Sequence, residues 1–350
     1  MQQRRGVPAG SHGKQAGWHS RRRCGQPLPR AGVEVTVKVV SATKKHALSR
    51  GHLGCLGDVA TINLARGCGA TCAFCYARCL SGAPETGVLV YPDLPGQLRQ
   101  ELDRRRRAPP AFVLFSTASD PFLGGEQVVR LSRACLETLT EREIGVSFST
   151  RGAPPDDVIA LLARHAPHVR VTVPLTSLSE EYTRTWEPGT ALPRQRLFLV
   201  QRLLREGIRG VQVRLEPIIP FVNDDTESIR ELLSALVGLG LKSATASFLH
   251  LRPGVAEQIQ REAPAELAPL VLGGFVPAEQ EFPGQPIAKF QHLPVKLRLA
   301  GLRRIQRIAR ELGLRVSACH CQNPGIPARS CPVAPPELPR PRGEQMPLLE

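Results

Sequence analysis

Between Asp58 and Leu251 the chain repeats one pattern six times, a short apolar run followed by a turn or by a segment of helical periodicity, and few folds accommodate such a series. The apolar runs are Val59–Leu64, Ala111–Phe115, Gly145–Ser149, Val169–Val173, Val211–Leu215 and Ala244–Leu249. They have the length and composition of strands covered on both faces. Between them lie the amphipathic segments Leu94–Arg107, Glu126–Thr140, Asp156–Arg164, Arg194–Glu206 and Glu227–Leu239. Pro154-Pro155-Asp156 and Asp224-Asp225-Thr226 supply helix starts, and Gly207 and Gly240 supply stops. Six βα units in series predict an α/β fold with a parallel sheet and right-handed crossovers. Six is short of the eight that close a barrel, so a partial (β/α)6 TIM-type barrel is expected, with its site at the C-terminal ends of the strands.

The flanks read differently. Residues 1–32 are polar and rich in Gly, Pro and Arg, and no acidic residue precedes Glu34. Such an arm repels itself and is expected to stay disordered. The core is placed at 33–254, opening on a strand-like Val33–Val40. A C-terminal extension with its own cysteines follows at 255–331, including a helix Val295–Leu312 and a strand-like Leu314–Ala318, and a Pro-rich disordered tail is expected at 332–350. The net charge of +15 favours anionic partners such as nucleic acid, although arginine is used heavily throughout. There is no secretory apolar segment and no run long enough to span a membrane, which predicts a cytoplasmic protein without a membrane partner. Ten cysteines in such a setting point to metal or redox chemistry before disulfides.

The chemistry concentrates in Arg66-Gly67-Cys68-Gly69-Ala70-Thr71-Cys72-Ala73-Phe74-Cys75-Tyr76-Ala77-Arg78, directly after the first strand. Three thiols spaced C-x3-C-x2-C, with glycines that let the backbone wrap closely, suit three corners of an iron–sulfur cubane and leave the fourth iron open. The competing reading is a structural zinc site made by Cys68, Cys72, Cys75 and Cys79, although a second C-x2-C knuckle is missing.

The motif resembles the signature of the radical S-adenosylmethionine (SAM) superfamily. That resemblance implies a [4Fe–4S] cluster on Cys68, Cys72 and Cys75, SAM chelated to the open iron, reductive cleavage of SAM, hydrogen abstraction by the resulting 5′-deoxyadenosyl radical, and an electron donor of the flavodoxin or ferredoxin type. It also places Phe74 near the adenine. Gly51 to Gly254 resembles the spore photoproduct lyase-like branch, through Cys75-Tyr76-Ala77-Arg78, Ser116-Thr117-Ala118-Ser119-Asp120-Pro121, Ser149-Thr150-Arg151, Thr176-Ser177-Leu178, Glu187-Pro188 with Arg196-Leu197, and Glu216-Pro217-Ile218-Ile219-Pro220 with Asn223-Asp224. By the same resemblance Ser116 to Asp120 lies where the superfamily binds the amino group of SAM, with Asp120 as acceptor, and Arg151 lies near its carboxylate. Read from the residues alone, Asp120 is equally a turn residue before Pro121, Arg151 a surface arginine, and Glu216 either a site residue or the partner of Arg214. Two positions depart from the branch. Thr117 stands where true lyases have a hydrogen-donating cysteine, which argues against thymine-dimer repair, and Pro174 stands near an expected serine.

Cys319, Cys321 and Cys331 form a second group near a strand end, suited either to an auxiliary iron–sulfur cluster or to remaining as reduced thiols. No catalytic residue beyond the ligands is assigned, and the oligomeric state stays open. Three functions fit this reading: radical modification of a nucleic acid, radical modification of a peptide or small metabolite, and a non-catalytic, zinc- or cluster-stabilised nucleic-acid-binding protein.

Overall fold

The structure is a computed structural model that describes residues 39–52, 56, 58–84, 87–104, 108–280, 288–319 and 322–326. The arm at 1–32, His320, Cys321, Cys331 and the tail at 332–350 lie outside the described residues. The strands are β1 (Val39–Ser41), β2 (Leu48–His52), β3 (Asp58–Ile62), β4 (Ala65–Arg66), β5 (Val88–Val90), β6 (Phe112–Phe115), β7 (Gly145–Ser149), β8 (Val169–Pro174), β9 (Gly210–Ile218), β10 (Ser243–Phe248), β11 (His250–Leu251), β12 (Val276–Gln280), β13 (Ala288–His292) and β14 (Arg315–Ala318). The helices are α1 (Leu94–Asp103), α2 (Glu126–Thr140), α3 (Asp156–Arg164), α4 (Glu180–Trp186), α5 (Pro193–Arg205), α6 (Thr226–Gly238), α7 (Val255–Glu262), α8 (Ala268–Leu272) and α9 (Val295–Glu311).

The main sheet has eight strands in the order β14-β10-β9-β8-β7-β6-β3-β2. The six expected strands pair in parallel in chain order. β14 adds a seventh parallel strand beside β10, and β2 closes the other edge antiparallel to β3. The end strands do not pair with each other, so the barrel is partial. The extension therefore completes the core sheet, because α9 and β14 repeat the βα pattern once more.

Local chemistry explains the helix boundaries. The Asp225 carboxylate accepts from Ser228 N at 2.8 Å and starts α6, while Asp156 and Asp157 favour the positive N-terminus of α3. On α2, Val128, Leu131, Cys135, Leu136 and Leu139 recur at helical spacing and are all buried, and each fully buried leucine stabilises the fold by about 1.5–3 kcal/mol.

The strands are less uniformly apolar than their sequence suggests. Ile62, Val113, Phe115, Val146, Phe148, Val171, Val173, Val213, Leu215, Ala244 and Ala246 join the helices in one core. Alternation puts Thr61, Ser147, Thr172, Gln212, Thr245 and Ser247 on the opposite face. Ser147 Oγ, Thr172 Oγ1 and Thr245 Oγ1 are buried and find no hydrogen-bond partner among the described residues. The inside of the partial barrel is thus lined with hydroxyls, and the outside carries the hydrophobic packing.

A small antiparallel sheet, β11-β13-β12, follows the core. The rings of His250 and His292 stack on it at 5.7 Å, and Phe290 meets both edge-on. Burial and the nearby charge of Arg252 push His250 down to about 3, and burial pushes His292 down to about 4. An unfolded chain has ordinary histidines, so it binds more protons than the folded chain below pH ~6.5. The stabilisation is complete above that pH and is lost as the pH falls toward the two folded values. Denaturant titrations are expected to show about 4 kcal/mol less stability at pH 5 than at pH 7, about 2 kcal/mol from each histidine, with roughly half that slope in a His292→Phe variant. An unchanged slope in that variant would place the acid sensitivity elsewhere.

Candidate active site

The cysteine loop leaves the C-terminal end of β3. Asn63 Oδ1 accepts from Thr117 Oγ1 at 3.1 Å and Ala118 N at 2.8 Å, which ties the loops after β3 and β6 together. β4 then pairs antiparallel with β5 and turns the chain back. Gly67 has φ +81°, and a Cβ on Gly69 would lie 2.5 Å from the Gly124 Cα, so only glycine permits this close approach. Thr71 N donates to Pro188 O at 2.9 Å and Ala73 N to Trp186 O at 3.0 Å. A 3-10 turn, Tyr76–Cys79, ends the loop.

Burial, then the neighbouring Cys75 and Asp120, pushes Cys68 up to about 12. Burial pushes Cys72 well above the ordinary thiol value, against the pull of the Arg151 charge. Cys68 and Cys72 so placed resist ionisation until a cation joins them, as iron would. Among the described residues no group of three or more His, Cys, Asp or Glu is arranged for a single metal ion. Cys79, the fourth ligand that a zinc site would need, donates its thiol to Gln258 Oε1 at 3.6 Å. Three cysteines on a glycine-wrapped loop, with Cys79 engaged elsewhere, fit an iron–sulfur cluster.

The other expected site residues converge at the same strand ends. Ser116 ends β6 with φ +60°, a conformation rare for a residue with a side chain, and its Oγ lies 2.8 Å from Ser119 Oγ. Asp120 Oδ1 accepts from Phe122 N (2.9 Å) and Thr150 Oγ1 (2.8 Å), and Oδ2 accepts from Arg151 N (2.7 Å). The carboxylate therefore both makes the turn and ties the β6 loop to the β7 loop. Burial outweighs these donors and raises its pKa. Arg151 is no surface arginine. It donates to Glu187 Oε1 (3.3 Å) and Glu216 O (2.7 Å), and its guanidinium lies 5.4 Å from the ring centre of Phe74. Burial alone would lower its pKa, but Glu187, with Cys72 behind it, holds the charge on it more firmly than usual.

Sequence reasoning missed what holds this assembly. Glu187 and Arg196 are each 1% exposed and pair at 2.5 Å, so Glu187 sits between two guanidinium groups. The branch resemblance marks both positions, through Glu187-Pro188 and Arg196-Leu197, but gives neither a role. Gln258, on α7, gave no signal at all. Tyr76 donates to Thr117 O at 2.7 Å under the guanidinium of Arg252, 4.1 Å from its ring centre. Tyr182 and Trp186 are buried packing residues. Glu216 pairs with Arg214 and accepts from Gln322 Nε2 at 2.6 Å. Cys319 is buried at the end of β14, and its carbonyl accepts from Asn323 Nδ2 at 2.9 Å. Among the described residues no helix is long and apolar enough to cross a membrane.

A parallel βα sheet whose first strand delivers three closely spaced cysteines to the carboxyl ends of its neighbours defines the radical SAM class of enzyme. Residues 62–233 match the family model of the Radical SAM superfamily, and the chain belongs to that superfamily as a radical SAM enzyme. The fold is that of spore photoproduct lyase. A solved lyase complexed with dinucleoside spore photoproduct superposes with a TM-score of 0.60 at 16% identity, covering 79% of this chain and 81% of that one. A variant lyase with bound AdoMet and the same dinucleoside gives 0.61 over the same shares, also at 16% identity. An uncharacterized protein of Mycobacterium tuberculosis is 29% identical over 205 residues, which are 55% of this chain and 59% of that protein. A radical SAM Nalpha-GlyT isomerase of Pseudomonas phage M6 is 27% identical over 186 residues, 52% of this chain and 37% of that protein. The chain thus matches about three fifths of the mycobacterial protein and less of the phage one. Membership implies a [4Fe–4S] cluster and SAM.

Proposed function

We propose that this enzyme holds a [4Fe–4S] cluster on Cys68, Cys72 and Cys75, cleaves SAM reductively and abstracts a hydrogen from a nucleic acid. The observation that carries the cluster assignment is the placement of the C-x3-C-x2-C loop directly after β3, inside the stretch that matches the family model. The bound group supplies the reductive cleavage, and the protein supplies orientation and a dry, shaped space. In this reading Phe74 lies against the adenine, Ser116 and Asp120 meet the amino group, and Arg151 keeps its remaining donors for the carboxylate. The hydroxyl-lined barrel interior excludes bulk water while offering weak polar contacts.

Three features favour a nucleic-acid substrate. The net charge is +15. One lyase of the same fold carries a dinucleoside photoproduct. Phe221, in the loop after β9, is 68% exposed, with φ +65° and its N–H donating to Asp224 Oδ1 at 2.9 Å. Its loop neighbours Ile219 and Val222 belong to the same apolar cluster as Cys72 and Phe74, which supports reading the ring as a surface for a base to stack on. Thr117 in place of a thiol donor separates the outcome from dimer repair.

The test is anaerobic reconstitution with iron and sulfide, then dithionite and SAM, with 5′-deoxyadenosine read by mass spectrometry with and without DNA or RNA. Product formation raised by nucleic acid, and binding that weakens steeply with salt, are expected. A Phe221→Ala variant is expected to bind about tenfold more weakly, the loss of one stacking contact. Product formation indifferent to nucleic acid and raised by peptides or metabolites would remove the substrate assignment and keep the radical chemistry.

A further inference from the structure

α7 lies outside the stretch that matches the family model, in the extension, yet it reaches the cysteine loop. Gln258 is fully buried, and its Nε2 donates to three backbone carbonyls, Cys72 O at 3.2 Å, Ala73 O at 2.9 Å and Cys75 O at 3.3 Å. Its Oε1 accepts from the Cys79 thiol. One turn further along α7, Glu262 forms a two-pronged ion pair with Arg78 at 2.6 and 2.9 Å, each side chain 10% exposed. The helix therefore grips the loop through Gln258 and grips the turn after it through Glu262.

Three carbonyl oxygens aimed at one point repel one another, and in a buried place each costs free energy unless a donor meets it. A single amide meets all three, its two N–H groups shared among them. Two of these carbonyls belong to cysteines of the trio, so the amide fixes the backbone from which Cys72 and Cys75 project. Cys72 O also accepts from Cys75 N at 3.1 Å and Arg78 Nη1 at 3.4 Å, so an apolar residue of equal size would chiefly deprive Ala73 O and Cys75 O of the amide, and the loop would relax by turning them outward, carrying the Cys75 sulfur with them.

We propose that Gln258 is a positioning residue for the cluster, and that the C-terminal extension sets the cysteine loop in its cluster-holding shape through this one amide. The inference rests on the cluster assignment above. Partners one layer out from metal ligands commonly change metal retention by about 10–100-fold when removed.

The experiment compares the full-length wild type with Gln258→Met and Gln258→Glu, each reconstituted without oxygen. It reads iron and sulfide per chain, the rate of iron loss to a ferrous chelator, and the electron paramagnetic resonance spectrum of the reduced cluster before and after SAM. Gln258→Met is expected to lose iron about 10–100-fold faster and to show an altered spectrum. Gln258→Glu keeps the acceptor for Cys79 and, as a buried neutral acid, one donor, so it is expected to fall between. The melting temperature of each metal-free chain is measured first. If Gln258→Met melts early, the comparison is made with Gln258→Glu, whose shape matches the wild type. Iron loss and spectra equal to wild type in a folded variant would overturn the inference. Failure of the wild type itself to form a cluster would instead overturn the cluster assignment, whatever the variants do.

Discussion

A Cys72→Ala chain is expected to fold, to hold little iron after reconstitution, and to form no 5′-deoxyadenosine above the level of a protein-free control, a loss of at least about 1000-fold, or roughly 4 kcal/mol. Cys72 is 3% exposed and packs with Ala70, Phe74 and Trp186. Exchanging its sulfur for a hydrogen removes a small apolar volume, which costs on the order of 1 kcal/mol and leaves the fold standing. The chemical loss is far larger, because a cubane held at two corners has no defined open iron. Cys68→Ala and Cys75→Ala are expected to behave alike. Cys135→Ala is the control, since Cys135 is buried on α2 with its pKa pushed up to about 12 by burial alone. It is expected to cost about the same stability and to keep full iron. If Cys135→Ala lost iron as completely as Cys72→Ala, the loss would reflect a weakened fold and the ligand assignment would fail.

The fold was legible because its signals are periodic. α2 and α3 have the boundaries their sequence predicts, since a proline or glycine precedes each and a stop of the pattern follows. α4 was invisible because Glu180–Trp186 is only seven residues, started by a Ser179 Oγ that accepts from Tyr182 N at 3.1 Å. α7, α8 and the β12–β13 pair were hidden by the prolines and glycines around them. The hydroxyl face of the barrel was hidden by composition, since one serine or threonine in a strand of five leaves the strand apolar on average. The cysteine ligands were readable because their spacing is local. Gln258 and the roles of Glu187 and Arg196 were not, because their meaning depends on which parts of the chain meet. An amide 186 residues from the carbonyl it serves carries no sequence mark.

The ion-pair group around Glu187 makes this dependence on long-range contact measurable. Glu187 and Arg196 are each 1% exposed, and Arg151 is 21% exposed. Arg196 also donates to Pro174 O at 3.0 Å, Ala191 O at 2.8 Å and Thr190 Oγ1 at 2.6 Å, so its guanidinium cannot turn to solvent without breaking several bonds. Glu187→Gln keeps the shape and removes the one negative charge between two guanidinium groups. Breaking a buried pair from one side costs about 3–5 kcal/mol, because the remaining charge has no counterion. Denaturant unfolding of Glu187→Gln is expected to show a loss of that size. Replacing the pair together, as Glu187→Leu with Arg196→Met, is expected to cost less than the two single changes summed, because no charge is stranded. The site registers the same change. Trp186 and Pro188, on either side of Glu187, hold Ala73 and Thr71 through their carbonyls, and Arg151 loses the partner that keeps it beside Phe74. A rise in the KM for SAM is therefore expected alongside the lost stability, at temperatures where the variant is fully folded. A variant that lost stability with an unchanged KM would make Glu187 a structural anchor only, and would release Arg151 from its assigned place at the cofactor.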